Sequence, residues 1–214
     1  MPEIIYSDNH LLCMDKPGGL LTQPSGTDRD SLESQGKCWI RQQTGKTGNI
    51  FLEAVHRIDA AACGVVLFAR TSKALSRLNQ AIREGACRKE YRVLVEGCPK
   101  NRHTILRNFI IHDEHKARIV EGCTPKAAEA QLEYWVLKET GGFALLKVLL
   151  GSGRYHQIRA QMAHIGHPIV GDRHYGAHSQ FSDNGSIALQ HYCLAIRHPV
   201  SHDEMTFQSR LTLI

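Results

Sequence analysis

Apolar and polar positions along the chain repeat with two different periods. Ile4-Ile5-Tyr6 and Leu11-Leu12-Cys13-Met14 are short apolar runs on either side of Ser7-Asp8-Asn9, and predict two strands joined by a polar turn. Asp15-Lys16-Pro17-Gly18-Gly19 then breaks the pattern, because proline fixes φ and glycine frees it; an exposed tight loop carrying a solvated Lys16 is expected. From Gln23 to Asn49 the chain is polar, with a weak helical pattern at Leu32 to Gln42, and reads as loop plus short helix. Gly64 to Arg70 is an apolar, β-branched run of strand length.

Thr71-Ser72 can cap a helix whose apolar face is Ala74, Leu75, Leu78, Ala81 and Ile82, with Gly85 as its stop. In Lys89 to Gly97 the period falls to two, which puts Tyr91, Val93 and Val95 on one strand face. Tyr91 on that face reads as a packing tyrosine with a satisfied hydroxyl. Cys98 to Lys126 is rich in Lys, Arg and His, and predicts an exposed hairpin holding a basic surface. Ala128 to Lys138 and Phe143 to Leu150 form a second hairpin around Gly141-Gly142. Gly151 to His156 is a loop leading into a helix with Ile158, Met162 and Ile165 along one stripe, ended by Gly166 before Pro168. Gly171 to Gly176 is a polar turn, and Ile187 to Arg197 a late strand ended by His198-Pro199.

Composition narrows the class. A chain of 214 residues, 42% hydrophobic and 22% charged, can bury a core and is neither disordered nor fibrous. The net charge of +5, with thirteen histidines in reserve, suits an anionic partner. No apolar run approaches the roughly 20 residues that span a bilayer, and Met1-Pro2-Glu3-Ile4-Ile5 lacks the start of a secretion signal, so a cytoplasmic protein with no membrane partner is expected. Seven scattered cysteines without a Cys-x-x-Cys read as reduced thiols. His164 and His167 lack a Cys or carboxylate at ligand spacing, so no metal site is expected.

Two stretches carry more than packing requires. His56-Arg57-Ile58-Asp59 sets a cation and a carboxylate two positions apart on the leading edge of a buried strand, where loops on rigid scaffolds hold reactive groups. Read alone, it is equally a surface salt bridge. Arg154 and Arg159 frame the start of a helix, an end whose dipole already favours anions, so they look placed for a carboxylate or phosphate.

Together these stretches resemble the RluA-type pseudouridine synthases, the RNA uridine isomerases. His56-Arg57-Ile58-Asp59 matches the family's His-Arg-Leu-Asp signature, Lys89-Glu90-Tyr91 its Lys-x-Tyr strand, and Gly153-Arg154-Tyr155-His156-Gln157-Ile158-Arg159 its Gly-Arg-x-His-Gln-Ile-Arg helix start. His167-Pro168-Ile169-Val170-Gly171-Asp172, Tyr175-Gly176, His198-Pro199, Asn9-His10-Leu11-Leu12 and Lys16-Pro17 agree further. The chain departs from the family at Ala60-Ala61-Ala62-Cys63, where a basic residue and Thr-Ser are usual, and at Leu189-Gln190-His191, where Leu-His-Ala is usual. The missing basic side chain and hydroxyls bear on how tightly RNA or the loop is held.

The resemblance implies an α+β fold: a long mixed, mainly antiparallel sheet flanked by helices, with a central RNA-binding cleft. It implies one catalytic domain over residues 1–214, with no separate RNA-binding domain. It also implies a catalytic set of Asp59 as nucleophile, Tyr91 stacking on the uracil with its hydroxyl placed for proton transfer, and Arg159 as ionic partner of Asp59. Arg57 would fill the space left by the flipped base, Ile158 would pack in the pocket, and His56, Lys89 and Arg154 would contact substrate. The partner would be a structured tRNA or rRNA with a flippable uridine, met by a monomer. No redox step occurs, so no cofactor is expected. Two other readings compete: an RNA-binding protein or chaperone of the same fold without catalysis, suggested by Ala60 to Cys63, and a nucleoside or glycoside hydrolase, which would want a second acid across the bond.

Overall fold

The computed structural model describes residues 2–122 and 124–213. The chain gathers into two compact units, one built from residues up to Lys89 together with Gln190–Thr212, the other from Glu90–Leu189. The secondary structure is a mixed, mostly antiparallel sheet with three α-helices.

In the first unit, β1 (Glu3–Ser7) and β2 (Leu11–Lys16) form the expected hairpin. Asp8 closes its turn, its Oδ1 accepting from the backbone N–H groups of His10 and Leu11, both at 2.7 Å. β2 pairs antiparallel with β4 (Cys63–Ala69), beside which lies the two-residue β3 (Glu53–Ala54). β10 (Leu189–Arg197) runs parallel to β4, and β11 (Glu204–Gln208) pairs antiparallel with β10.

β2 and β4 have apolar residues at consecutive positions because both faces of this sheet are covered. Leu11, Cys13, Val65, Leu67 and Ala69 pack with Ala74 and Leu78 of α2 (Ser72–Arg83), and with Leu194, Ile196 and Phe207. Leu12, Met14, Val66 and Phe68 pack on the other face with Leu32 and Ile40 of α1 (Leu32–Thr44). Gly36 lets α1 come close, since a Cβ there would sit 2.7 Å from the Met14 methyl. α2 is capped as its sequence predicts: Thr71 accepts from the N–H of Ala74, and Gly85 follows the last turn at φ +71°.

In the second unit, β5 (Arg88–Glu96), β9 (Phe143–Leu150), β8 (Ala128–Thr140), β6 (His103–Asp113) and β7 (Lys116–Val120) lie side by side in that order, all antiparallel. Tyr91, Val93 and Val95 are buried along one face of β5. α3 (Gln157–His164) packs on the sheet, with Ala160 beside Ile110, Ala117, Ala130 and Tyr175.

Three features differ from the sequence reading. Lys16 is not on an exposed loop: it ends β2 and has no accessible surface. β11 carries too weak an alternation to have been expected. The polar turn after Gly171 is a 3-10 turn, Arg173–Tyr175, whose flanking Asp172 is buried along with Tyr175 itself. The six described cysteines are free thiols; the expectation for Cys123 falls outside the described residues. Among the described residues no helix is long and apolar enough to cross a membrane, and no group of three or more His, Cys, Asp or Glu is placed to hold a metal ion.

Candidate active site

Asp59 sits on the loop that leads into β4, and its backbone is held at three successive carbonyls. Thr22 Oγ1 donates to the Ile58 carbonyl at 3.0 Å. The Asp59 carbonyl accepts from Ala62 N–H at 3.0 Å, which closes the turn, and the Ala60 carbonyl accepts from Gly19 N–H at 2.8 Å. Lys16 reaches the same Ala60 oxygen with Nζ at 3.0 Å, and also binds the carbonyls of Leu20 at 2.7 Å and Pro17 at 3.0 Å.

A buried ammonium is tolerated here because three carbonyl dipoles replace its water. Burial nonetheless pushes its pKa down from 10.5 to about 8, against the upward pull of Cys63 and Asp59. The Pro17-Gly18-Gly19 corner that suggested exposure instead turns the Pro17 carbonyl to the lysine and the Gly19 N–H to the Asp59 loop.

Behind the loop stand two histidines. His56 Nε2 accepts from Leu67 N–H at 3.3 Å, and its ring meets that of His191 edge-on, with centroids 5.1 Å apart. His191 lies on β10 opposite Gly64, is fully buried, and hydrogen-bonds the Val65 carbonyl through Nδ1 at 2.7 Å. Burial lowers both pKa values, that of His191 to about 4, with the Lys89 charge acting in the same direction. Both rings are neutral at neutral pH. Gly64 allows the close strand approach: at φ +111°, a Cβ would lie 2.3 Å from the His191 carbonyl oxygen.

The exchange of Leu-His-Ala for Leu-Gln-His now has a structural meaning. Gln190 is buried and donates to Ser209 Oγ and the Leu211 carbonyl, at 2.9 and 2.7 Å. Ser209 in turn donates to the buried Asp15 carboxylate at 2.8 Å. Of the remaining expected site residues in this unit, Arg57 is exposed and Lys89 is half-buried with its pKa lowered by burial.

In the second unit the geometry centres on Arg159. It is buried and holds Asp172 through two parallel bonds, Nε to Oδ2 at 2.7 Å and Nη2 to Oδ1 at 2.9 Å. Its Nη1 donates to His156 Nε2 at 2.7 Å, and its guanidinium lies 5.0 Å from the centre of the Tyr175 ring. The carboxylate this arginine holds within its own unit is Asp172. Arg154 is exposed, with Nε on the Glu129 carbonyl at 3.0 Å. Tyr91 and Ile158 are buried in their own unit, at 7% and 5% exposure. Lys16, His191, Asp172 and Tyr175 were given no role in the expected site, although three of them stand in the stretches that carry the resemblance, since nothing in a sequence shows that a polar residue is buried or which partner it meets.

With this geometry described, comparison with known proteins is direct. Two human proteins, RNA Pseudouridylate Synthase Domain Containing 4 and 1, superpose with TM-scores of 0.81 and 0.75, covering 98% and 96% of this chain and 88% and 82% of theirs. At 19% identity they establish the fold, which is that of the pseudouridine synthases. The sequence profile described as RNA pseudouridylate synthase matches residues 10–164. An uncharacterized RNA pseudouridine synthase of Aquifex aeolicus is 33% identical, over 96% of this chain and 68% of its own. The dual-specificity RNA pseudouridine synthase RluA of Salmonella typhimurium is 31% identical, over 96% and 91%. The chain belongs to the RNA pseudouridylate synthase family, as a member of its RluA branch, and is an isomerase.

Proposed function

We propose that the enzyme isomerises a particular uridine of a structured tRNA or rRNA in the cytoplasm, with Asp59 as nucleophile. The Asp59 carboxylate attacks the nucleoside, the C1′–N1 bond breaks, and the freed uracil turns to present C5. A C1′–C5 bond then forms as the bond between Asp59 and the nucleoside breaks, the proton on C5 leaves and N1 gains one, so substrate and product are isomers and the carboxylate is regenerated. Carboxylates serve as nucleophiles in other glycosidic chemistry.

The observation that carries this reading is the clamp on Ile58, Asp59 and Ala60, which fixes the backbone of one carboxylate at the leading edge of a doubly buried strand. A nucleophile gains most from being held in place before the substrate arrives. Tyr91 acts as the stacking partner of the uracil, worth about 1–3 kcal/mol, and Arg159 supplies the fixed positive charge. Arg57, exposed beside Asp59, takes the place of the flipped base, while Ile158, His56, Lys89 and Arg154 support the substrate. Flipping costs a few kcal/mol and is cheapest in loops and bulges, which favours a structured RNA with an unpaired uridine.

Pseudouridine mapping of total RNA tests the reading in cells with the intact gene, with the gene deleted, and with Asp59→Asn alone restored. A defined uridine that loses its modification in both deficient strains is the expected result. The dual specificity of the Salmonella relative makes tRNA and rRNA both worth mapping. A site lost on deletion but kept by Asp59→Asn removes Asp59 as nucleophile. No change at any site favours the RNA-binding reading, and release of free uracil favours hydrolysis.

A further inference from the structure

We infer that Asp172 and His156 are positioning residues that hold the Arg159 guanidinium in a single orientation, with Tyr175 as the plate it rests on. This rests on the proposed role of Arg159. Asp172 binds the Nε and Nη2 edge in a bidentate fork, a geometry that fixes the guanidinium plane as well as its place. His156 adds a third bond on a different edge, from Nη1 to Nε2 at 2.7 Å.

The proton positions follow from the chain of partners. An arginine N–H only donates, so His156 Nε2 accepts and its proton lies on Nδ1. Nδ1 therefore donates to Tyr175 Oη at 3.1 Å. That oxygen also accepts from Ala117 N–H at 2.7 Å and lies 3.2 Å from the Ala117 carbonyl, to which it donates. Arg159 is thus tied through His156 and Tyr175 to the backbone of β7. Burial, then the Arg159 charge, lowers the His156 pKa to about 3, so the ring stays neutral and keeps its acceptor turned to the guanidinium.

His156 occupies an unusual backbone state for this task. It precedes α3 at φ +49°, makes no capping bond, and stacks its ring on Tyr155 at 3.8 Å; Tyr155 in turn meets His112 of β6 at 4.2 Å. Left-handed backbone at a non-glycine residue is costly and persists where surrounding contacts require it. Here the contacts are those of the imidazole with Arg159, Tyr175 and Tyr155.

The test uses the full-length protein and RNA labelled with tritium at uridine C5, extracted from cells lacking the gene. Release of that tritium reports pseudouridine formation. Asp172→Asn is expected to lower the single-turnover rate about 10²-fold, and His156→Gln about 10-fold, with RNA affinity within about threefold of wild type, as misplacement of a fixed group predicts. Asp172→Glu, which keeps the charge, recovers part of the rate. In an Arg159→Lys background, Asp172→Asn costs less than about threefold more, because residues acting through one group are not additive.

The Arg159 Nε–H resonance supplies a reading that needs no substrate. It is expected to be a single slowly exchanging signal in wild type, broadened in Asp172→Asn and His156→Gln. Should Asp172→Asn fail to fold, His156→Gln carries both measurements. Wild-type rates in the folded variants, or an unchanged Arg159 resonance, overturn the inference. If wild type releases no tritium from any RNA, the proposed function fails, while the resonance still decides this one.

Discussion

Replacing Lys16 by methionine separates the two things this residue does. Its ammonium is buried at a cost visible in its pKa, which falls from 10.5 to about 8, chiefly through burial. At about 1.36 kcal/mol per pH unit, that drop is worth about 3 kcal/mol. The unfolded chain keeps the proton up to about pH 10.5, while the folded protein gives it up near 8. The unfolded state therefore binds more protons between these values, and wild-type stability rises with pH through that window. Methionine removes the titration and leaves the carbonyls of Pro17 and Leu20 without this donor, at about 1–3 kcal/mol each. Near pH 7 the lost bonds and the relieved burial nearly offset, leaving Lys16→Met within about 3 kcal/mol of wild type. By pH 10.5 wild type should have gained about 3 kcal/mol on the variant. Urea unfolding of both proteins at intervals from pH 7 to 10.5 measures the difference, and titrations common to both cancel. Parallel curves would show that Lys16 is not a desolvated cation and would refute the reasoning. The rate should suffer far more than neutral-pH stability, falling about 10²-fold, since Ala60 loses one of its two anchors beside Asp59, the proposed nucleophile.

Other expectations follow from the same physics. Gly64→Ala forces a Cβ within 2.3 Å of the His191 carbonyl at φ +111° and should cost more than about 3 kcal/mol in urea unfolding. Gly45→Ala, with a positive φ but nothing within 4 Å, should cost only about 1–2 kcal/mol. His191 takes up its proton near pH 4 instead of 6.5, so the unfolded state binds more protons in between and stability falls with acidification. His191→Gln should flatten that loss by about 3 kcal/mol when the two unfolding profiles are subtracted. Phe68→Ala, fully buried under α1, should cost about 3–5 kcal/mol by thermal or urea unfolding, leaving a cavity between β4 and the helix.

The elements that could be read from the chain are those whose local signals agree with their burial. α2 combines a Thr71 cap, a helical apolar stripe and a terminal glycine, and forms within a residue of its expected limits. β5 shows its period of two because one face packs and the other does not. The Asp59 loop stood out because its charges adjoin an apolar run, and the resemblance to a known family gave it a role. Lys16 was misread because Pro17-Gly18-Gly19 is the signature of an exposed corner, and a lysine's burial depends on carbonyls 4 and 44 residues away. Asp172, quoted for the resemblance, was given no role for a related reason. In sequence it is one polar residue in a polar turn, and only the folded chain shows the arginine thirteen positions earlier that it binds. Local pattern reports which face of an element is buried; it carries no information about which buried charge meets which.

The first unit is discontinuous in the chain, and this sets an order on its assembly during synthesis. Its sheet lacks β10 and β11 until the 100 residues from Glu90 to Leu189 have been made. At about 5–20 residues per second, that leaves roughly 5–20 s in which one edge of β4 and the apolar surface later covered by Leu194, Ile196 and Phe207 face water on the ribosome. The second unit is continuous and can close as soon as it emerges. The unit carrying Asp59 is therefore the last to become native, and is the part of the nascent protein with most need of a chaperone.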